Sequence, residues 1–513
     1  MLEAKSLISC SILLAITATV ALPAEAKKKK QAIFAESSIE LPINPSHEVM
    51  TADLLPSSGK ELFTFAVDEK QQYWLFVYGL EAEQAKYSLS GKYALPENVY
   101  SFDYTESSTG EQHLYFLSAN QLIKFEYNEK NKLATAFNVI HDVQSVALPH
   151  QQQYLIKGDF LKDVNDDGRE DVLLTDFAST KLLLANDKGT FAQSTLPIKP
   201  NVRVNRGSTT YEYPEIHAAD VNLDNMQDVV VVEQGKLAVY KQAEDGTFSS
   251  TADIHDLRED ISGIDWWSQR PIDGKPIDQS NLVYRRLEQL KDINNDGITD
   301  MVVRYTQSSG VLDRANDYEI YLGQNDNGQL VYSSEPSSVI SAEGTLTDLE
   351  FVDVDGDKKL EVMLAGFDIG LSQIIGALMS GSIDQDVHIF KMDESSNFHR
   401  KNKTTKEVEL TFSLSSGTSG SPVVKLADID GDGIKDLVLS DGDDALKIYK
   451  GSDQGIKKLF AKRAQKHKID LPKEGESIVV EDLNGDGKDD LLIKYSTQDE
   501  DEYHKQIRVL FAI

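Results

Sequence analysis

A nine-residue acidic pattern recurs six times and constrains the fold of this chain more than any other feature. Positions 1 and 5 are always Asp, position 3 is Asp or Asn, and position 9 is Asp or Glu. We call the copies loops 1 to 6, and in chain order they are Asp163–Asp171, Asp220–Asp228, Asp292–Asp300, Asp353–Glu361, Asp428–Asp436 and Asp482–Asp490. Their starts lie 54 to 75 residues apart. Repetition at this period predicts an array of similar supersecondary units.

Short apolar strands surround every copy of the pattern in the same order. A strand leads into the loop, an apolar strand such as Asp171–Thr175 follows it, and one or two alternating segments complete the unit. Four short strands per unit, with no long helical periodicity between them, are typical of propeller blades. The sequence therefore predicts an all-β protein, a β-propeller of four-stranded blades.

The number of blades depends on the region before loop 1. The segments Glu61–Tyr78 and Tyr100–Phe125 keep the strand rhythm but lack the acidic pattern. Eight blades are expected if these segments form two blades, and seven if they share one. We expect residues 46–150 to form metal-free blades and residues 151–513 to form six blades with calcium loops.

The two ends of the chain are predicted to meet in one blade. The last unit stops at Ile513 after its third strand, and residues 32–43 resemble the outer-strand segment Phe191–Ile198. Supplying the missing strand from residues 32–43 closes the ring and removes two free edges. A single propeller domain of residues 27–513 is the expected result.

The acidic loops have the chemistry of a hard-cation site. Asp, Asn and Glu oxygens at positions 1, 3, 5 and 9, with the backbone carbonyl at position 7, suit Ca²⁺ better than Mg²⁺, which demands stricter octahedral geometry. The candidate ligands are Asp163, Asn165, Asp167, Arg169, Asp171, Asp220, Asn222, Asp224, Met226, Asp228, Asp292, Asn294, Asp296, Ile298, Asp300, Asp353, Asp355, Asp357, Lys359, Glu361, Asp428, Asp430, Asp432, Ile434, Asp436, Asp482, Asn484, Asp486, Lys488 and Asp490. Up to six Ca²⁺ ions are expected.

Position 6 of the pattern is expected to need a positive φ. It is Gly in four loops, and Gly adopts that backbone conformation without steric cost. Asn225 replaces it in loop 2 and Lys358 in loop 4. Whether these two loops hold metal is left open by the sequence, and the charge of Lys358 is expected to lower affinity.

The loops resemble those of the FG-GAP/VCBS repeat family, whose calcium-binding propellers include the integrin α-subunit head. The resemblance extends from Leu155 to Ile513 and is weaker before that. The Phe-Gly and Gly-Ala-Pro marks of the integrin-type repeat are absent, which favours the bacterial VCBS kind. The resemblance implies the propeller fold and calcium loops. It leaves the activity open, because such propellers serve adhesion, sugar binding and enzyme scaffolding.

Residues 1–26 are typical of a signal peptide. An uncharged apolar run follows Lys5 and ends at the small residues Ala24 and Ala26. The single cysteine, Cys10, lies inside this segment, so the mature chain would contain no disulfide. We expect export to the periplasm, the outer cell surface or the medium, with no membrane-spanning segment in the mature chain. An uncleaved anchor is the alternative.

Charge and motifs narrow the class of function. The net charge of −32 disfavours nucleic acid as a partner, because phosphates repel carboxylates. The sequence has no G-x-S-x-G, H-E-x-x-H, G-x-G-x-x-G or P-loop motif, so no catalytic residue is nominated and an enzyme is not favoured. We expect a monomeric binding or scaffold module for an envelope or extracellular protein or a glycan. The alternative is a polysaccharide-acting propeller enzyme or a lectin.

Long connections opposite the acidic loops are the candidate ligand face. The insertions 199–213 and 254–284 offer groups that stack on sugars or hold acidic ligands, namely Arg203, Arg206, Trp266, Trp267 and Arg270. The alternative is that the two tryptophans pack the insertion onto the rim. A third insertion, Phe367–Gln385, has a helical apolar stripe, expected to cap the propeller channel or to dock a partner.

Overall fold

Strand pairing divides the chain into eight four-stranded antiparallel blades. The computed structural model describes residues 32–56, 59–81, 85–105, 112–127, 136–143, 155–205, 208–258, 260–268, 278–310, 313–341, 345–367, 381–413 and 418–513. Regular structure in these ranges is β apart from two 3₁₀ turns, Ile456–Lys458 and Gly475–Ser477. The predicted all-β propeller is therefore confirmed, with eight blades and not seven.

The strands of the first half are assigned to blades in chain order. The closing strand β1 (Phe34–Glu40) precedes blade 1, which contains β2 (Met50–Ala52), β3 (Glu61–Val67), β4 (Tyr73–Glu81) and β5 (Lys86–Ala94). Blade 2 contains β6 (Val99–Tyr104), β7 (Leu114–Ser118), β8 (Gln121–Phe125) and β9 (Phe137–Asp142), with β10 (Ile156–Lys157) added parallel to β6. Blade 3 contains β11 (Leu161–Lys162), β12 (Asp171–Thr175), β13 (Thr180–Ala185) and β14 (Phe191–Leu196). After the hairpin β15 (Asn201–Asn205) and β16 (Ser208–Glu212), blade 4 contains β17 (Ile216–Ala219), β18 (Asp228–Glu233), β19 (Lys236–Tyr240) and β20 (Asp253–Asp256).

The second half continues the same order. After β21 (Ile261–Ser262), blade 5 contains β22 (Leu282–Lys291), β23 (Asp300–Gly310), β24 (Asp313–Tyr321) and, after the hairpin β25 (Gly323–Asp326) and β26 (Gln329–Tyr332), β27 (Ser338–Ile340). Blade 6 contains β28 (Thr345–Val352), β29 (Glu361–Phe367), β30 (Ser382–Met392) and β31 (Phe398–Ser413), which is followed by β32 (Thr418–Ser419). Blade 7 contains β33 (Val424–Ala427), β34 (Asp436–Ser440), β35 (Ala445–Tyr449) and β36 (Gln465–Lys468). Blade 8 contains β37 (Ile478–Glu481), β38 (Asp490–Lys494) and β39 (Gln506–Ala512), and takes β1 as its fourth strand.

The core lies between blades rather than at a single centre. Eight apolar clusters occur among the described residues, and each joins two consecutive blades. Between blades 1 and 2, for example, Phe63 and Phe65 pack against Phe102 and Phe116. Second strands such as β12 and β34 are buried along their whole length, since both of their faces meet a neighbouring blade. Continuous apolar runs in the sequence follow from this burial.

The N-terminal strand closes the ring as predicted. β1 pairs antiparallel with β39 in the register Phe34 with Ala512 through Glu40 with Gln506. Phe34 is buried against Leu510 and against Val438 of blade 7. The first and last strands of the described chain thus share one sheet. Among the described residues, no helix has the length and apolar character to cross a membrane.

Candidate metal centres

The six acidic loops occupy equivalent places and form one belt. Each connects the first strand of its blade to the second, and its position-2 side chain is buried between that blade and the next. Backbone hydrogen bonds join loops 3 to 6 in sequence: Leu360 N–H donates to the carbonyl of Ile293 at 3.2 Å and Lys435 N–H to that of Val354 at 2.9 Å. Asp489 N–H likewise donates to the Asp428 carbonyl at 2.8 Å. Because these bonds run from blade to blade, the loops lie on one face of the ring.

Backbone amides fold each loop around its first carboxylate. In loop 1, Asp163 accepts the N–H of Asp167 at 3.1 Å and that of Gly168 at 2.8 Å. The bond from position 6 to position 1 measures 2.7 to 2.9 Å in all six loops. The position-5 carboxylate also accepts the N–H of position 7, at 2.9 to 3.1 Å. Carboxylates at positions 1 and 5 are thus held toward the inside of the same turn.

Two positions in every loop have left-handed backbone. Position 6 has φ between 67° and 84° in all six loops, including Asn225 and Lys358, as its glycines predicted. Position 4 is also left-handed, and its residues are Asp166, Leu223, Asn295, Gly356, Gly431 and Gly485. The sequence signal for position 4 was its glycine in three loops, which the pattern analysis did not use. Two left-handed residues in three allow the tight turn that gathers the oxygens.

The position-9 carboxylates are buried at the head of the second strand. All six are at most 4% exposed. Burial, followed by the charges of the carboxylates at positions 5 and 1, raises the pKa of Asp171, Asp300 and Asp490 to about 7. Burial also raises the pKa of Glu361 to about 7 and those of Asp228 and Asp436 to about 6. An anionic group in such a place calls for a nearby cation.

The third position divides the loops into two kinds. In loops 1, 2, 3 and 6 it is Asn, whose Nδ2 donates to the position-5 carboxylate at 2.9 to 3.2 Å. In loops 4 and 5 it is Asp, and three carboxylates bring oxygens within 4.8 Å of one another: Asp353, Asp355 and Glu361, and Asp428, Asp430 and Asp432. The oxygens of each cluster are spaced closely enough for a metal ion, and they are the hard donors that Ca²⁺ prefers.

Lysine side chains enter both of these all-carboxylate loops, which the sequence analysis did not anticipate. Lys391 of β30 lies 2.6 Å from Asp355 and 2.8 Å from Asp357. Lys450, which follows β35, pairs with Asp430 and Asp432. Both lysines are separated from their loops by a strand and a turn, so that no local motif marks them.

A seventh, reduced loop occurs in blade 1, where sequence analysis found no acidic pattern. Asp53 and Glu61 stand in positions 1 and 9 between β2 and β3. Glu61 is fully buried and accepts the N–H groups of Leu54 at 2.8 Å and Leu55 at 3.0 Å. The Asp–Glu spacing before an apolar strand was the available signal. Leu55 stands at position 3 and offers no side-chain oxygen, so this loop has only part of the ligand set.

The predicted ligand face is only partly described. Trp266 is 7% exposed and Trp267 is 44% exposed, with their rings edge to face at 5.3 Å between centroids. The Arg304 guanidinium lies 5.3 Å from the Trp267 ring. Arg203 lies in β15, and its side chain is outside the described part, as are Arg206 and Arg270. The helix expected near residues 371–379 also lies outside the described residues.

A cleft of about 470 Å³ opens on the side away from the acidic loops. It lies between the start of blade 4 and the segment after β21, and Asn201, Glu215, His217 and Tyr240 are among its lining residues. Burial, with the charges of Lys162 and Arg286, lowers the pKa of His217 to about 4. The cleft thus presents carboxylate, imidazole and hydroxyl groups beside the insertion 199–213.

Comparison with known families identifies the repeats. Residues 292–364 and 428–493 match the FG-GAP-like repeat, and these segments contain loops 3 and 4 and loops 5 and 6. The chain therefore carries FG-GAP-like repeats, and its eight-bladed ring is consistent with an FG-GAP propeller. The resemblance predicted from the acidic loops is confirmed.

Solved structures with similar architecture are distant. A lectin of Agrocybe aegerita that recognises non-reducing terminal N-acetylglucosamine is 13% identical, with a TM-score of 0.39 over 83% of this chain and 94% of that one. A putative 6-phosphogluconolactonase of Bacteroides uniformis is 11% identical, with a TM-score of 0.32 over 82% and 96%. The V. cholerae biofilm matrix protein Bap1 is 12% identical, with a TM-score of 0.27 over 94% and 88%. No curated protein matches the sequence. These similarities carry no property of those proteins over to this chain.

Proposed function

We propose that this chain is an exported propeller, stabilised by calcium, that serves as a binding or scaffold module for an envelope or extracellular protein or a glycan. The observation that carries the calcium part is the belt of loops, each with a carboxylate buried at position 9 and a position-1 carboxylate that accepts the backbone N–H of position 6. Hard oxygen donors on a tight loop suit Ca²⁺. The belt supports a structural role, because an ion in one loop orders a turn bonded to the next blade.

Thermal unfolding with and without calcium tests this role. Each site filled at 100 times its Kd stabilises the fold by about 2.7 kcal/mol, so several sites give a large rise in Tm. Mg²⁺ at the same concentration is the control ion, and a smaller rise is expected because Mg²⁺ gives up its water reluctantly. A Tm that is equal in calcium and in chelator would refute the calcium part of the proposal.

Glu61 supplies a matched control within the same fold. Asp300→Asn alters a complete loop, and Glu61→Gln alters the reduced loop of blade 1, where the same buried position accepts two backbone amides. We expect Asp300→Asn to shrink the calcium-dependent part of the Tm. Glu61→Gln is expected to lower the Tm equally in calcium and in chelator, because position 3 of that loop is an apolar side chain.

The binding role rests on the opposite face. A rigid scaffold commonly presents its ligand contacts on variable connections, and here the cleft is lined by Asn201 of the insertion 199–213 and by Ile264, three residues before the exposed Trp267. Affinity capture from the cell envelope, with wild type and Trp267→Ala, tests for a protein partner. Recovery of the same proteins with both variants and with an unrelated propeller would argue against a binding role for this surface.

A lectin or polysaccharide-acting enzyme is the second candidate. The exposed Trp267 ring beside Arg304 favours it, since sugars stack on such rings. Glycan-array binding and turnover of uronic-acid polymers are the tests, with Glu215→Gln in the cleft as the variant for turnover. Export is tested separately, by N-terminal sequencing of the protein from its native cell, for which we propose cleavage after Ala26.

A further inference from the structure

In loop 4, one lysine contacts the carboxylates of positions 3, 5 and 9 together. The ammonium nitrogen of Lys391 is 2.6 Å from Asp355 Oδ2, 2.8 Å from Asp357 Oδ2 and 3.1 Å from Glu361 Oε1. These side chains hold positions 3, 5 and 9, three of the four carboxylates predicted as metal ligands in this loop. The Lys391 side chain is only 19% exposed, and Glu361 is fully buried. A positive charge thus already lies in the middle of the ligand set.

The buried carboxylate of loop 4 is also bonded differently. In the other five loops, one oxygen of the position-9 Asp accepts a backbone N–H from the last residue of the third strand or from just beyond it, at 2.7 to 3.0 Å. In loop 4, Glu361 Oε2 accepts the N–H of Val354 at 2.9 Å, and Oε1 faces Lys391. The ammonium nitrogen thus lies 3.1 Å from the carboxylate oxygen whose counterpart in the other loops accepts a backbone N–H.

Strand register allows the position of Lys391 to be compared across the six blades with acidic loops. Phe390 pairs with Val362, the residue after loop 4, and Lys391 follows Phe390. The residues at the same register position in the other blades with acidic loops are Leu184, Lys241, Leu322, Lys450 and Phe511. Three blades have an apolar residue there, so the propeller fold does not require a lysine at this point.

The other two lysines at this position are placed differently. Lys241 pairs with Asp253 on the fourth strand, 2.5 Å away, outside the predicted ligand set. Lys450 approaches Asp430 and Asp432, and half of its side chain is exposed. Lys391 is distinguished by its contacts with positions 3, 5 and 9 together.

We infer that the ammonium group of Lys391 is the resident cation of loop 4, so that blade 6 keeps its acidic loop folded without calcium. A Ca²⁺ ion needs six to eight oxygens at about 2.3 to 2.6 Å, and it would occupy the space that the ammonium group fills. Lys358 and Lys359 add positive charge to the same loop. This inference rests on the proposed calcium role, and it identifies loop 4 as the loop that stays folded without the metal.

The first test counts calcium ions. Lys391→Leu gives loop 4 the residue that loop 3 has at this register position, Leu322. Native mass spectrometry and equilibrium dialysis with Ca²⁺ should find one more ion per chain in Lys391→Leu than in wild type. Lys241→Leu is the matched control, and its stoichiometry should equal that of wild type. Equal stoichiometry in wild type and a folded Lys391→Leu protein would overturn the inference.

The second test reads the loops individually, by hydrogen exchange in calcium and in chelator. In wild type, amides of residues 353–361 should exchange at the same rate in both conditions, while those of 292–300 and 482–490 should exchange faster in chelator. Lys391→Leu should make 353–361 respond to calcium. A wild-type response of loop 4 as large as that of loop 3 would overturn the inference.

The exchange experiment also separates this inference from the proposed function. If no loop of wild type responds to calcium, the proposed calcium role fails. The role of Lys391 is then judged in chelator alone. Faster exchange of 353–361 in Lys391→Leu than in Lys241→Leu supports the lysine as the resident cation, and equal exchange in the two variants refutes it.

Discussion

Loops 3 and 4 are neighbours in the belt. We propose that the negative charge of their carboxylates is neutralised in two different ways. Both wrap a position-1 Asp with backbone amides, and Leu360 of loop 4 bonds to Ile293 of loop 3. Loop 3 places the amide of Asn294 against Asp296, and the proposed calcium ion would supply its positive charge. Loop 4 has four carboxylates and the ammonium group of Lys391 among three of them. On these two proposals, loops of the same backbone shape hold different cations.

The largest loss of unfolding free energy is expected from a substitution in loop 3. Asp300→Asn should remove one calcium site and with it about 2.7 kcal/mol of unfolding free energy at calcium 100 times Kd. In chelator the loss should be much smaller, because Asp300 is a buried carboxylate whose pKa burial raises to about 7. Urea unfolding in calcium and in chelator measures both values. Equal losses in the two conditions would contradict the assignment of Asp300 as a ligand.

The corresponding change in loop 4 should be insensitive to calcium. Glu361→Gln removes one partner of the partly buried Lys391 ammonium, at a cost of about 2 kcal/mol. Since the lysine and not an ion is the partner, the cost should be the same in calcium and in chelator. The same urea titrations test this expectation. A loss of unfolding free energy that is found in calcium but not in chelator would contradict this expectation and would indicate that loop 4 binds calcium.

Acid should affect blade 6 through His388, three residues before Lys391. Burial and the charge of Lys403 lower the pKa of this imidazole to about 4, and the charge of Asp386 opposes them. The residue at the equivalent position on the third strand of blade 5 is Glu319, which forms an ion pair. A lowered base contributes stability that is present above about pH 6.5 and is lost as the pH falls toward 4. Between pH 7 and 4.5, His388→Gln should reduce the loss of unfolding free energy by about 1 to 2 kcal/mol. His399→Gln, on an exposed histidine of the same blade, is the control.

The smallest effect should come from the backbone of loop 4. Lys358 has φ of 69°, a conformation that costs an L-residue about 1 kcal/mol and that loop 3 assigns to Gly297. Lys358→Gly should raise the unfolding free energy by about 0.5 kcal/mol, after the extra entropy of glycine in the unfolded chain is subtracted. Lys359→Gly removes the same charge without relieving a left-handed residue and is expected to destabilise. A stabilisation shared by both variants would assign the effect to charge.

The features that could be predicted from the sequence are those that depend on patterns of consecutive residues. The six loops, the strand after each and the positive φ at position 6 depend on nine-residue patterns, and the eight-bladed ring follows from these six units and from the two strand-rich segments before loop 1. Lys391 was missed because its position beside loop 4 depends on the register between β29 and β30. Glu61 was missed because two carboxylates without the third and fifth ligands do not stand out from ordinary composition. Strand pairing, which a local pattern does not show, brings Lys391 to loop 4, and the weak Asp–Glu spacing was the available signal for Glu61.

The pairing of Phe34 with Ala512 sets the order in which this protein can be completed. Residues from opposite ends of the described chain must meet before blade 8 has four strands, and contacts of such large sequence separation form late in folding. Until the β39 segment is available, β1 lacks a partner and the blade 7–8 cluster lacks Leu510. Until β39 docks, the ring is therefore an open array whose last blade has only β37 and β38. Docking of β39 adds its pairings with β38 and with β1 and completes the ring.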